Sequence, residues 1–269
     1  MDEPSVIYER RGEVGWVILN HPDDMNPISE AMLTDLFDVT REATADKSTR
    51  VLVVGATGPH FSAGGDLNWE GELDEASSLR LMRLTGHLSY ELRNSPKPMI
   101  GAIRGYCLGG GNELNLHLDV SIASETAQFS QPETRWGVLP FWYTPQLLPL
   151  VIGERRAREV ILFGRMYDAD QALEIGLCNA VVPDEQLEDE AQAWAEELLD
   201  RSPTALRLSK MSLNSASDAL RAAANHDAAI VTLTAGSERY QQEVGKFFDA
   251  GVHRRPRPAP PRRKTADET

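Results

Sequence analysis

The six residues VLVVGA, Val51 to Ala56, constrain this chain more than any other stretch. Four apolar side chains in unbroken succession leave no polar face, so a strand built from them has to be covered on both sides. Sheets covered on both sides are made of parallel strands, and parallel neighbours need long crossover connections, usually helical. PMIGAIR repeats the pattern, with a strand expected over Met99 to Ile103. Between the two runs a helix is expected from about Glu75 to Asn94. Strand, loop, helix, strand, loop, helix is an α/β organisation with its loops at strand ends.

The flanking segments extend that plan. Val6 to Glu9 and Val14 to Leu19 read as a hairpin around Arg11-Gly12-Glu13. HPDDMNPIS is a turn cluster, after which Ser29 can cap a helix running to about Ala45. Past Asp119, DVSIAS and AQFSQPE read as short strands, and helices are expected near Gln146 to Leu150, Arg155 to Phe163 and Ala169 to Ile175. Leu187, Ala191, Trp194 and Leu198 share one helix face. Further helices are expected over Thr204 to Asn214, Asp218 to Thr234 and Glu238 to Ala250. The chain divides into a core at 1–195, a helical region at 196–250 and a tail at 251–269. That tail, within HRRPRPAPPRRKTADET, is rich in proline and charge and is expected to lack fixed structure.

Charge excludes one class of partner. Against 27 lysines and arginines stand 41 acids, a net charge of −14, whereas nucleic-acid binding needs a basic face. The arginines of the tail are the one stretch that reads as a nucleic-acid arm, and the acidity of the rest outweighs them. No run of about 18 apolar residues predicts a membrane span. The acidic start, MDEPSVIYERRGE, lacks the apolar core of a secretion signal. Cys107 and Cys178 make no disulfide framework in a chain this long, which favours a reducing cytoplasm.

Two glycine-rich loops carry the chemistry. Ser62-Ala63-Gly64-Gly65-Asp66 and Gly109-Gly110-Gly111 each follow a buried strand, and the second opens a helix. Helix N-termini and tight loops present unpaired N–H groups, and two of these aimed at one point make an oxyanion hole. Taken singly, each loop is as well explained by tight turns and close packing. Glu113 lies three residues after Gly110, on the same face of the first helical turn. Glu133, in FSQPETRWG, sits at a strand-to-turn transition, where taken alone it reads as a surface residue. Two carboxylates beside an oxyanion hole supply an acid, a base and a site for an enolate oxygen, the requirements of proton transfer next to a carbonyl. A covalent alternative occupies the same ten residues. Gly105-Tyr106-Cys107-Leu108-Gly109 fits G-x-C-x-G, with His117, His226 or His253 as base and Asp119 or a later acid as the orienting group, a thioesterase-like arrangement. Buried cysteine without chemistry is the competing reading.

FSAGGDL, GYCLGGGNEL, SQPETRWGVLP, FGRMYDADQALEIGLCNAVVP and SPTALRLSK, in this order, resemble the crotonase (enoyl-CoA hydratase/isomerase) superfamily over about Val6 to Phe248. The resemblance implies a spiral of repeated ββα units with a C-terminal helical region that builds homotrimers or hexamers (dimers of trimers). It implies an acyl-CoA thioester substrate, with no metal and no cofactor beyond the CoA of the substrate itself. By the same resemblance Gly65 and Gly110 hold the thioester oxygen, while Ala63, Asp66 and Leu67 line the bound CoA, with adenine read by main-chain atoms near Ala63. Glu113 and Glu133 match both catalytic glutamates of the hydratases: Glu133 protonates the α-carbon and Glu113 orients and activates water.

Two departures stand out. Where hydratases carry P-G-A-G-G, this chain has Pro140-Phe141-Trp142-Tyr143-Thr144, and with Trp69 and Trp136 these aromatics predict a reshaped acyl site, able to take a ring. DAGVHRRPRP replaces the usual C-terminal basic run, so no contacts to the CoA phosphates are assigned there. Isomerisation, ring cleavage or ring closure on a cyclic acyl-CoA, and a non-catalytic CoA-binding role are the alternatives. The relatives that work on rings lack a glutamate at position 113, which favours hydration.

Overall fold

The computed structural model describes residues 4–220, 234, 237–249 and 258–259. β1 (Val6–Arg11) and β2 (Val14–Leu19) form the antiparallel hairpin, and α1 (Glu30–Ala45) follows with the Ser29 hydroxyl accepting from the Met32 amide. β3 (Val51–Ala56) leads through the first glycine loop to α2 (Leu67–Gly71) and α3 (Glu75–Asn94). β4 (Met99–Ile103), β5 (Tyr106–Leu108) and α4 (Gly110–Asn115) come next, then β6 (Val120–Ser124) and β7 (Gln128–Ser130). α5 (Thr144–Ile152), α6 (Glu154–Phe163), β8 (Tyr167–Asp168), α7 (Ala169–Ile175) and β9 (Ala180–Val182) precede the helices α8 (Leu187–Leu199), α9 (Pro203–Asp218) and α10 (Glu238–Asp249).

Two sheets organise these elements. Six strands run in the order β1-β2-β3-β4-β6-β9, parallel from β2 onward, and three more in the order β5-β7-β8. β4 passes to β5, and β6 to β7, within a few residues, so the chain repeatedly steps from the large sheet to the small one. Parallel order places the loops after β3 and β4 at the same, C-terminal ends of the strands, where open α/β sheets bind ligands.

VLVVGA is covered on both faces, as its composition requires. Leu52 and Val54 join a core with α1 and α3, while Val51 and Val53 pack with Trp16, Ile100 and α8 residues Leu187, Ala191 and Ala195. The division drawn at 195 thus falls within α8, which stays one helix against the large sheet. α9 reaches the body through Lys210, whose buried ammonium donates to Asp119 Oδ2 at 2.7 Å and to the carbonyl of Leu92.

The second C-terminal helix expected, Asp218 to Thr234, lies largely outside the described residues, as do His226 and His253. Within the tail, Ala259 is ordered: it is buried and its amide donates to the Met166 carbonyl at 2.6 Å. The rest of the tail, 251–257 and 260–269, lies outside the described residues.

Candidate active site

The two glycine loops are zipped to each other before any ligand is considered. Ser62 N–H donates to the Tyr106 carbonyl at 2.8 Å, and Leu108 N–H to the Ser62 carbonyl at 3.0 Å. The approach is so close that a β-carbon on Gly64 would meet Leu108 O at 2.8 Å.

The direction of the Gly65 amide follows from its neighbours. Ile28 N–H donates to the Gly64 carbonyl at 2.8 Å, and Asp66 N–H donates to the Ile28 carbonyl at 3.2 Å. In an extended segment alternate residues turn their amides to opposite sides, so Gly65 turns its own away from Ile28. Gly110 is the first residue of α4, where an amide has no helical acceptor. Neither amide has an acceptor among the described residues.

Glu113 is 2 % exposed, carried inward on the first turn of α4. Its Oε1 accepts from the Phe141 amide at 3.0 Å and from Gln131 Nε2 at 3.3 Å. The same Gln131 amide nitrogen donates to Glu133 Oε1 at 2.9 Å, so one side chain ties the two carboxyls together. Gln131 is fully buried and its own oxygen accepts from Asn112 at 2.8 Å. Glu133 Oε2 is buried with no partner among the described residues, although the residue as a whole is partly exposed. A buried carboxylate oxygen left open is costly unless a water or a substrate completes it.

Burial holds both glutamates above the ordinary carboxylate range, and the mutual repulsion of the pair adds to Glu113. Two carboxyls this close resist joint ionisation, and a proton shared between them leaves one acid and one base.

Ala63, Gly65, Asp66, Leu67, Trp69, Gly110, Glu113, Glu133 and Trp142 all line one cavity of about 460 Å³. The expected site residues therefore meet in space. Asp66 also caps α2, accepting from the amides of Asn68 and Trp69. Trp136 and Phe141 line the same cavity, whereas Tyr143 packs into the core. Trp142 (φ 42°) and Tyr143 (φ 71°) occupy the left-handed region, a costly conformation for bulky residues. The Trp142 indole N–H holds its position by donating to the Thr85 carbonyl at 3.0 Å.

Among the described residues the thiol alternative does not assemble. Cys107 is 0 % exposed within β5, and burial pushes its thiol well above the ordinary value, opposite to what a nucleophile needs. His117 bonds the Glu113 carbonyl through Nδ1 at 2.8 Å and packs against Trp142, and burial lowers it to about 3. Asp119 is taken by Lys210 and by the Met99 amide.

Sequence reading missed Gln131, Glu70 and Tyr240. Gln131 stands two residues before Glu133, and nothing in its local pattern says that it faces both carboxyls. Glu70 lines the cavity, and burial, with the Asp66 charge adding, pushes its carboxyl up to about 7. The folded chain thus binds the Glu70 proton more tightly than the unfolded chain, whose value is the ordinary 4.5. The stability this represents is fully present below 4.5 and is lost as pH rises through about 7. Melting curves should show Tm falling more steeply between pH 5 and pH 8 in the wild type than in Glu70→Gln. Equal slopes would mean that Glu70 is solvated like an ordinary glutamate.

Comparison with known proteins places this geometry. The family model described as enoyl-CoA hydratase/isomerase matches residues 9–251. A probable enoyl-CoA hydratase of Rhizobium meliloti (strain 1021) is 34% identical over 214 residues, which are 80% of this chain and 82% of that protein. The crystal structure of an enoyl-CoA hydratase/isomerase from Xanthobacter autotrophicus Py2 superposes with a TM-score of 0.82 at 30% identity, covering 90% of this chain and 93% of that one. A monofunctional enoyl CoA isomerase from M. smegmatis is also 30% identical, with a TM-score of 0.67 over 80% of this chain and 95% of that one.

Proposed function

The chain belongs to the enoyl-CoA hydratase/isomerase family, within the crotonase superfamily, and from that premise we propose that it adds water across the 2,3-double bond of an acyl-CoA thioester. The observation that carries the reading is the pair Glu113 and Glu133, bridged by Gln131 beside two amides that have no acceptor of their own. In this reading the thioester oxygen sits between the amides of Gly65 and Gly110, which stabilise the negative charge that develops there. Water lies between the two carboxyls. Glu113 takes its proton as oxygen bonds to C3, and Glu133 gives a proton to C2, so the elements of one water are added without oxidant or reductant.

Ala63, Asp66 and Leu67 lie along the CoA. The Ala63 amide is spent on the Met25 carbonyl at 2.9 Å, so adenine recognition there falls to the Ala63 carbonyl. Trp69 and Trp142 bound the acyl group, with Phe141 and Trp136 close by, an aromatic enclosure suited to a branched or cyclic acyl chain. Residence in the cytoplasm goes with this reading, as does assembly into a homotrimer or a dimer of trimers. Exposed Leu162, Phe163 and Leu213, the last at 80 %, support a self-association surface.

Isomerisation is the second reading, favoured by the similarity to the M. smegmatis isomerase. A panel of linear, branched, aromatic and alicyclic 2-enoyl-CoAs in ¹⁸O-labelled water separates the two. Hydration predicts a product heavier by one labelled water, and a product of unchanged mass with a moved double bond would replace hydration by isomerisation. Sedimentation of the same preparation tests the assembly, and a monomer would refute the trimer.

A further inference from the structure

Glu70 is a further carboxyl in the cavity, beside Asp66, Glu113 and Glu133, and the proposed hydration gives it no task. It is placed by α2: Asp66 caps that helix, and Glu70 follows one turn later. Its carboxyl lies directly against Gly65, so close that any β-carbon at that position would coincide with Oε1. Oε2 accepts from the Tyr240 hydroxyl at 3.2 Å, a bond that spans 170 residues. Tyr240 is buried on α10, and its neighbour Gln241 donates to the Gly71 carbonyl at 2.9 Å, so α10 is pinned over α2 at two points. Oε1 has no hydrogen-bond partner among the described residues. The wall it belongs to is mainly apolar, with Leu73, Leu81, Trp69, Phe141 and Trp142, and also carries the carboxyls of Asp66, Glu113 and Glu133.

We propose that Glu70, held by the Tyr240 hydroxyl, forms a polar subsite that takes a hydroxyl group carried by the acyl chain of the substrate. The chemistry of the pair selects a hydroxyl over other polar groups. The Tyr240 hydroxyl lies nearer to Oε2, at 3.2 Å, than to its other acceptor, the Leu67 carbonyl at 3.5 Å, and Oε1 is the carboxyl atom left to meet a ligand. Burial brings this carboxyl to about 7, so near neutral pH it is present both as acceptor and as donor. A ketone oxygen satisfies only the protonated form, and an ammonium only the ionised form. A hydroxyl donates to one and accepts from the other, so it is bound in both. An unsubstituted acyl chain that displaces water from this wall leaves Oε1 without a partner, which is penalised.

This inference rests on the reading of the cavity as an acyl-CoA site, and binding separates the two without any turnover. Saturated acyl-CoAs, unable to react, are titrated calorimetrically in pairs that differ by one hydroxyl at successive chain or ring positions. The wild type should bind the hydroxylated member of at least one pair about 10-fold or more tightly than its partner. Glu70→Leu should abolish that preference, and the near-isosteric Glu70→Gln, which still donates and accepts, should keep part of it. Tyr240→Phe should weaken it by freeing Glu70 to move. Preference for no hydroxylated member at any position, or a preference undiminished in Glu70→Leu, overturns the subsite while leaving the acyl-CoA reading intact. Failure of every acyl-CoA and of CoA itself to bind overturns the acyl-CoA reading, and the subsite falls with it.

Discussion

Glu133→Gln should lower turnover of a 2-enoyl-CoA by about 10²–10⁴-fold, the usual contribution of a positioned acid or base. The amide keeps the size of the side chain and can still meet the Gln131 side chain, but it cannot deliver a proton to carbon. Glu113→Gln should cost a similar factor for a different reason, since the Phe141 amide now faces a neutral oxygen and water loses its base. In both variants the loss should fall on kcat more than on KM, because the groups act on the reacting atoms and not on the CoA. Cys107→Ala is the informative contrast. Its thiol is packed in β5 away from the cavity lining, so turnover should remain within a few-fold of wild type. Full activity in both glutamine variants, or a trapped acyl-thioester on Cys107, would reverse the assignment of chemistry.

Gly109→Ala should damage the site through the backbone. Gly109 has φ 47° and ψ −120°, a region nearly closed to residues with a β-carbon, and the substitution costs about 1–3 kcal/mol in strain. The added methyl would also stand 2.7 Å from Glu133 Oε1, so the carboxyl must shift or the loop must open. A displacement of about 1 Å at reacting groups costs on the order of 10²-fold in rate. Gly153→Ala isolates the strain. Its φ of 81° and ψ of 151° are equally demanding, yet a β-carbon there meets nothing within 4 Å. Both variants should melt early, and only Gly109→Ala should lose activity at a temperature where each is folded. Equal activity in the two would show that Glu133 tolerates the intrusion.

The legible parts of the molecule were those written in adjacent residues. α1, α3, α7 and the strands β2, β3 and β4 lie where periodicity, caps and apolar runs put them, because each signal is local. The helix opened by Gly110 was legible for the same reason, and with it the inward direction of Glu113. Glu133 was harder, since a glutamate after proline in a turn looks like surface. Its carboxyl is buried because Gly109 leaves room beside it, a fact about another segment of chain. The short strands β5, β8 and β9, of two or three residues each, carry too few side chains to show a period, and only their neighbours make them strands. The aromatic run Phe141-Trp142-Tyr143 was legible as bulk in a place of glycines, but not its division into cavity wall and core.

The sequence by itself determined a sheet buried on both faces, two glycine loops at the ends of its strands, and a glutamate carried inward on the helix that the second loop opens. Those conclusions rest on composition and short-range pattern, which backbone geometry translates directly into strands, turns and helix starts. Only the tertiary structure decided that the Gln131 side chain holds both glutamates, that Cys107 is packing, and that Glu70 meets Tyr240 across 170 residues. Contacts of that kind depend on which parts of the chain the two sheets bring together. A carboxyl acquires its burial, its partner and its protonation from those neighbours, none of which is recorded in the residues beside it.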